Sequence, residues 1–82
     1  MVYGEIEATV KEVLAKQLTM DVAKINLDSR LVEDLGIDSF GSVEVAFELE
    51  ERFNIKIPDA ALYDAKTVKN IVDYIASVKE SK

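Results

Sequence analysis

Apolar residues recur at spacings of three and four in three separate segments of this 82-residue chain, and this periodicity restricts the fold to packed helices. The first segment, residues 3–18, has five such positions with charged side chains between them: Ile6, Val10, Val13, Leu14 and Leu18. This spacing gives a helix one apolar stripe that must be buried against a neighbour. We therefore predict an amphipathic helix over residues 3–18.

A second helix is predicted from Ser39 to Phe53, because Asp38 and Ser39 are both favourable residues at a helix start. One side of this helix, which we expect to pack inward, carries a mostly apolar set, with Leu49 beside it: Val43, Ala46, Phe47, Glu50 and Phe53. Another side carries acidic residues: Glu44, Glu48 and Glu51. The segment therefore also reads as amphipathic.

Thr67 is predicted to cap a last helix that runs to about Val78, with an inward set of Val68, Ile71, Val72 and Ile75. The connection over residues 19–38 is long, and its apolar residues are irregularly spaced: Val22, Ile25, Leu27, Leu31 and Leu35. We expect this connection to lie against the core and Gly36 to adopt a left-handed conformation.

Residues 54–59 alternate like a strand, but the chain offers no second strand to pair with them. Pro58 followed by Asp59 instead predicts a turn into a short helix over residues 59–64. The predicted fold class is all-α. We expect a four-helix bundle with three longer helices, one short helix and a long first loop, in a single domain over residues 1–82.

The chain contains neither cysteine nor histidine. Disulfides and thiolate metal sites are therefore excluded, and the usual proton-transfer side chain near neutral pH is missing. We expect no catalytic activity and no metal site. The lack of cysteine, of a secretory signal and of a long apolar run favours a cytoplasmic protein without membrane insertion.

The net charge of −6 is concentrated in residues 28–51, where eight acidic residues accompany one arginine for a local charge of −7. A nucleic-acid partner would require the opposite sign, and so would an anionic membrane. An acidic surface suits basic protein partners and accelerates their association. The alternative is a solvated surface that only keeps the chain dissolved.

Asp38-Ser39 follows a glycine turn and begins a predicted helix, which places a serine hydroxyl beside a carboxylate in an accessible position. The N–H groups at a helix start favour a nearby phosphate. Ser39 is therefore a candidate for carrying a phosphate-linked group. The alternative is that Asp38 and Ser39 act only as a helix cap.

The surrounding sequence is similar to the acyl carrier protein family. The similarity runs from Glu5 to Ile75 and comprises Leu-Gly-Ile-Asp-Ser-Phe at 35–40, Val43-Glu44, Leu-Glu-Glu-Arg-Phe at 49–53, Ile57-Pro58-Asp59, Thr67-Val68 and Asp73-Tyr74-Ile75. This resemblance implies that a phosphopantetheinyl transferase modifies Ser39 from coenzyme A. The covalent 4'-phosphopantetheine arm then holds acyl intermediates as thioesters, in fatty-acid or related biosynthesis.

The resemblance also implies a monomer that docks acyl-loading and acyl-processing enzymes through their basic patches. The residues expected to contact these enzymes are Asp38, Phe40, Glu44, Glu48 and Glu51. Most of the family has leucine or methionine where this chain has Phe40, and many members have an acidic residue where it has Gly41. A specialised amino-acyl or polyketide carrier is therefore an alternative, and a helical interaction module without a prosthetic group is another.

Eight residues match positions that line the acyl-chain cavity of the family: Leu31, Val32, Ala46, Leu49, Ile57, Leu62, Ala65 and Ile71. Without the resemblance, these residues read simply as core. Ala65 is smaller and Leu62 larger than the residues that the family often has there. Because these changes oppose each other, the sequence predicts no preferred chain length.

Overall fold

The computed structural model describes residues 2–80, apart from the side chains of Asp59, Leu62, Tyr63 and Glu80, and the regular elements in this part are helical. Helix α1 spans Tyr3–Leu18, α2 Ser39–Phe53, α3 Asp59–Asp64 and α4 Val68–Glu80, and a 3-10 helix spans Val22–Lys24. The all-α prediction is confirmed. The predicted bounds of the first two helices agree with the structure, whereas the 3-10 helix was not predicted.

Local side chains and backbone conformations explain where α2 begins and where α1 and α2 end. The Asp38 carboxylate accepts the N–H of Gly41 at 2.7 Å and so caps α2. Thr19 and Asn54 adopt left-handed φ angles of 54° and 55°, which end α1 and α2 respectively. These ends are fixed by residues next to them in the chain.

Helix α4 begins after Thr67, whose hydroxyl oxygen accepts the N–H of Asn70 at 3.3 Å, as the capping prediction requires. The helix extends to Glu80, two residues beyond the predicted end. Lys79 lies in its last turn, where a positive charge interacts favourably with the helix dipole. None of the helices within residues 2–80 is long and apolar enough to cross a membrane.

The core forms around α1, which packs against both α2 and α4. The inward residues predicted for α4 are all buried, and so are four of the five predicted for α1; these eight are Ile6, Val10, Val13, Leu14, Val68, Ile71, Val72 and Ile75. Leu18, the fifth, is partly buried against the same cluster. Burying one large aliphatic side chain stabilises the fold by about 1.5–3 kcal/mol.

The buried side of α2 agrees with the predicted one only in part, at Ala46, Leu49 and Phe53. Its buried residues are Val45, Ala46, Leu49 and Phe53. Val43 and Phe47, which the pattern placed inward, are 61% and 63% exposed. Helix α2 packs mainly against α1, so only one narrow stripe is covered and residues beyond its edge stay in solvent.

The connection over residues 19–38 lies against the core, as expected. Ile25 and Leu31 are buried, and so is Ile37, which was not predicted. Val22 is an exception within this connection, since it lies in the 3-10 helix and is 46% exposed. Gly36 has a φ of +71°, in agreement with the predicted left-handed conformation.

Hydrogen bonds attach this connection to the segment before α4. The Leu31 N–H donates to the Lys66 carbonyl at 2.9 Å, and the Val68 N–H donates to the Ser29 carbonyl at 3.1 Å. Arg30 and Thr67 form an isolated antiparallel bridge between the two segments. The long connection, the segment before α4 and the start of α2 therefore surround one region of the surface.

Candidate functional site

Ser39 is the first residue of α2 and its side chain is exposed. Its hydroxyl forms no hydrogen bond or other polar contact with any residue that the structure describes. The preceding residue, Asp38, uses its carboxylate to cap the helix through the Gly41 N–H. The hydroxyl is thus accessible and free to react.

The other serine in this turn is held differently. The Ser42 hydroxyl donates to the Asp38 carbonyl oxygen at 3.0 Å, the same oxygen that accepts the Ser42 N–H at 2.9 Å. Ser42 is also partly buried. Of the two hydroxyls, only that of Ser39 is both exposed and without an internal partner.

Ser39 lies on the rim of a partly open cavity of about 500 Å³. This volume falls within the range of small-molecule sites. Apolar walls come from Leu31, Val32, Ile37, Val43, Val45, Ala65 and Ile71. Polar or charged groups come from Glu33, Asp38, Ser39, Ser42 and Lys66. The cavity can shelter an apolar group next to a polar attachment point.

The structure brings together four of the eight residues predicted to line an acyl cavity: Leu31, Val32, Ala65 and Ile71. Ala46 and Leu49 are buried in α2 and Ile57 is partly buried, but none of the three borders this cavity. The side chain of Leu62 lies outside the described part of the chain.

Three further lining residues, Ile37, Val43 and Val45, were missed. Ile37 and Val43 lie two residues before and four residues after Ser39, so their proximity in sequence was the available signal. No comparable signal pointed to Val45, because it lies outside the side of α2 that was predicted to pack inward. Its position depends on how α2 is rotated against α1.

Four of the five predicted docking residues share the outer face of α2 and the fifth, Asp38, caps its start, but their surroundings differ. Asp38, Phe40, Glu44 and Glu51 are exposed. Gln17 donates to a Glu44 oxygen at 2.8 Å and leaves its charge uncompensated. Glu48 is only partly exposed, since it pairs with Arg52 at 3.3 Å and lies 3.9 Å from Lys16.

The same face carries exposed apolar side chains that the sequence analysis partly missed. Phe40 is 72% exposed, and Val43 and Phe47 follow it at spacings of three and four. Residues at these spacings lie next to one another along a helix. We call Phe40, Val43 and Phe47 the apolar stripe. It runs beside Glu44 and Glu51 in the direction away from Ser39.

The two arginines of the chain, Arg30 and Arg52, are already paired with carboxylates. Hydrogen bonds from Arg30 lower the pKa of Asp34 below its ordinary value, and the pKa of Arg30 is raised in turn. The Glu12 and Glu48 carboxylates raise the pKa of Arg52. The exposed carboxylates of α2 therefore present a negative surface that these arginines leave unneutralised.

Comparison with known proteins gives a consistent result. The sequence family described as "Phosphopantetheine attachment site" matches residues 8–75. The acyl carrier protein of Aster yellows witches'-broom phytoplasma is 47% identical over 66 residues, which are 80% of this chain and 87% of that protein. The acyl carrier protein of Helicobacter hepaticus is 44% identical over 71 residues, 87% of this chain and 93% of that protein.

A solved structure agrees with these relatives. A protein assigned as an acyl carrier protein of Mycobacterium tuberculosis superimposes with a TM-score of 0.82 at 29% identity, covering 88% of this chain and 96% of its own. Acyl carrier proteins are carriers rather than enzymes, and they work with a covalently bound 4'-phosphopantetheine. On these matches, the chain belongs to the acyl carrier protein family.

Proposed function

We propose that Ser39 is the residue to which the 4'-phosphopantetheine arm is attached. The observation that supports this most strongly is its exposed hydroxyl without an internal partner, at the first residue of α2 and on the cavity rim. The neighbouring Ser42 hydroxyl is occupied by the Asp38 carbonyl. The exposed side chain also leaves room for a transferase to reach the oxygen.

The attachment is a phosphoryl transfer catalysed by a phosphopantetheinyl transferase. The Ser39 oxygen forms a new bond to the phosphorus that carries pantetheine in coenzyme A. The bond from that phosphorus to the nucleotide breaks, adenosine 3',5'-bisphosphate leaves, and the serine proton passes to a base on the transferase. The product is a phosphodiester on Ser39 whose arm ends in a thiol.

The arm then holds an acyl group as a thioester and presents it to successive enzymes. A flexible tether raises the effective concentration of the load at each active site. The acyl chain would bind in the cavity that is lined by the long connection, α2 and Ile71. Each CH₂ group buried there would contribute about 0.8 kcal/mol.

We further propose that partner enzymes dock on the outer face of α2. The apolar stripe would enter an apolar recess, while Asp38, Glu44 and Glu51 face basic side chains of the partner. Association of this kind is accelerated by opposite charges. Glu48 would contribute less, because Lys16 and Arg52 already neutralise it.

Two interpretations of the load remain. Fatty-acid biosynthesis is the general role of the family. The exposed Phe40 beside the attachment residue, followed by Gly41 without a side chain, supports a specialised amino-acyl or polyketide carrier instead. The enzyme that charges the modified protein distinguishes the two.

We also propose that the chain is a single-domain, cytoplasmic monomer in which the six-residue α3 completes a four-helix bundle. The absence of cysteine supports a reducing compartment.

The attachment proposal is tested by intact-mass analysis after incubation with coenzyme A, Mg²⁺ and a phosphopantetheinyl transferase. The wild-type protein should gain the mass of one phosphopantetheine group. Ser39→Ala should gain nothing, because the accepting oxygen is gone.

The matched control is Ser42→Ala, which removes a hydroxyl from the same turn. It should still be modified once. A mass gain in Ser39→Ala, or an unmodified wild type under conditions that modify another carrier, contradicts the proposal.

A further inference from the structure

Lys66 is a basic residue that lines the cavity beside Ser39. It lies between α3 and α4, and its backbone is held on both sides. Its carbonyl accepts the Leu31 N–H at 2.9 Å, and its N–H donates to the Asn70 side-chain oxygen at 2.8 Å. The rim therefore carries this lysine at a fixed backbone position.

The Lys66 ammonium has no ion pair with any described residue. It is also the basic residue among those that line the cavity, where it accompanies the carboxylates of Glu33 and Asp38. Arg30, a basic residue of the long connection, is engaged by Glu33 at 3.6 Å and Asp34 at 3.2 Å. Lys66 is thus the cation left available at this rim.

A phosphodiester on Ser39 would add another negative charge to a rim that already holds two carboxylates. Like charges repel one another, and a nearby cation offsets this repulsion. We propose that Lys66 is a positioning residue for the prosthetic arm: its ammonium pairs with the Ser39 phosphodiester and directs the arm across the cavity mouth. This inference rests on the attachment proposed above.

The pairing is testable on the holo protein by ³¹P NMR of its phosphodiester. A contact between opposite charges is weakened by salt. In the wild-type protein, raising NaCl from about 0.02 M to about 0.5 M should therefore shift the phosphorus resonance. In Lys66→Gln the salt-dependent shift should be smaller than in the wild type by a factor of about two or more. Lys66→Arg should restore it.

The matched control is Lys24→Gln. Lys24 is an exposed lysine at the end of the 3-10 helix and does not line the cavity. Its replacement changes the net charge equally and should leave the salt-dependent shift as in the wild type. Nuclear Overhauser effects from the methyl groups of the arm to Ala65 should also weaken in Lys66→Gln alone.

The two proposals can fail separately. Intact mass shows first whether each protein carries one phosphopantetheine group, and a wild type that stays unmodified under conditions that modify another carrier defeats the attachment. If all variants are modified but Lys66→Gln and Lys24→Gln respond to salt alike, the attachment stands and the pairing is overturned. Amide spectra of the unmodified variants establish that each one is folded.

Discussion

Two serines in the same helical turn differ by one hydrogen bond. The Ser42 hydroxyl donates back to the carbonyl four residues earlier, a common arrangement for serine within a helix. Ser39 has no carbonyl at that distance in its own helix, because the helix begins there. Its position at the first residue of α2, which the sequence already indicates, thus explains why its hydroxyl has no hydrogen bond to the helix backbone.

The carboxylates of α2 also differ from one another although they look alike in the sequence. Glu51 is exposed and has no ion pair or hydrogen bond with a described residue, whereas Glu48 lies close to Lys16 and Arg52. A paired carboxylate presents less net charge to an approaching protein. The contribution to docking should therefore be graded along the helix.

We predict that Glu44→Gln and Glu51→Gln each lower the kcat/KM of a phosphopantetheinyl transferase several-fold at low salt, and that Glu48→Gln has a smaller effect. The reason is that exposed interfacial charges mainly change association rates. Steady-state kinetics at about 0.05 M and about 0.5 M NaCl measure this, since screening should remove most of the difference.

Glu5→Gln is the control, because Glu5 is an exposed carboxylate in the first turn of α1. It should leave kcat/KM unchanged at both salt concentrations. Equal losses for all four variants would show that only total charge matters. A larger loss of kcat/KM in Glu48→Gln than in Glu44→Gln and Glu51→Gln would contradict the predicted order of contributions.

At the scale of the element, the ends of α2 were predictable and its rotation was not. Its start depends on Asp38, and its end on the left-handed Asn54, both of which act locally. Two overlapping apolar stripes exist on the helix, and the sequence does not say which one contacts α1. The structure buries the stripe with Val45 and Leu49 and exposes the one with Val43 and Phe47.

This rotation predicts opposite results for two large apolar residues two positions apart. Leu49 is 1% exposed, so Leu49→Ala should lower the free energy of unfolding by about 2–5 kcal/mol. Phe47 is 63% exposed, so Phe47→Ala should change it by about 0.5 kcal/mol or less. Urea unfolding followed by circular dichroism measures both.

The same pair separates stability from docking. Phe47→Ala should lower the transferase kcat/KM although the protein remains stable, because the apolar stripe loses its second aromatic ring. A loss of stability in Phe47→Ala as large as that in Leu49→Ala would mean that α2 is rotated as the sequence pattern suggested.

At the scale of the whole molecule, the contacts that the sequence could not predict are those between distant residues. The bridge between Arg30 and Thr67 and the hydrogen bond from Leu31 to Lys66 attach the long connection to the start of α4. No periodicity or capping motif encodes such pairs. They nevertheless place Lys66 at the rim of the cavity, so the outline of the site could be predicted only in part.

A second long-range contact joins the first residue of α1 to the middle of α4. The Tyr3 hydroxyl donates to an Asp73 oxygen at 2.6 Å, and the Lys69 ammonium lies 2.9 Å from the other oxygen. The hydrogen bond from Tyr3, and then that from Lys69, hold the pKa of Asp73 below its ordinary value. Tyr3 is on α1 and Asp73 on α4, so the contact connects two helices of the core.

This contact predicts how part of the stability depends on pH. Because the pKa of Asp73 is lower in the folded chain than in the unfolded chain, its contribution is present above the ordinary value of 3.8 and disappears as the pH falls through the lowered value. Asp73→Asn should therefore be less stable than the wild type at pH 6, and the difference should shrink as the pH falls below 3.8 and through the lowered value. Since Asp73 is partly exposed, solvent screening keeps the difference at about 1 kcal/mol or less. Urea unfolding midpoints across this pH range measure the difference.

The control is Asp64→Asn, at an exposed aspartate without a described partner, and its stability should follow that of the wild type throughout. A pH-independent difference for Asp73→Asn would mean that the Asp73 carboxylate contributes through packing instead of charge.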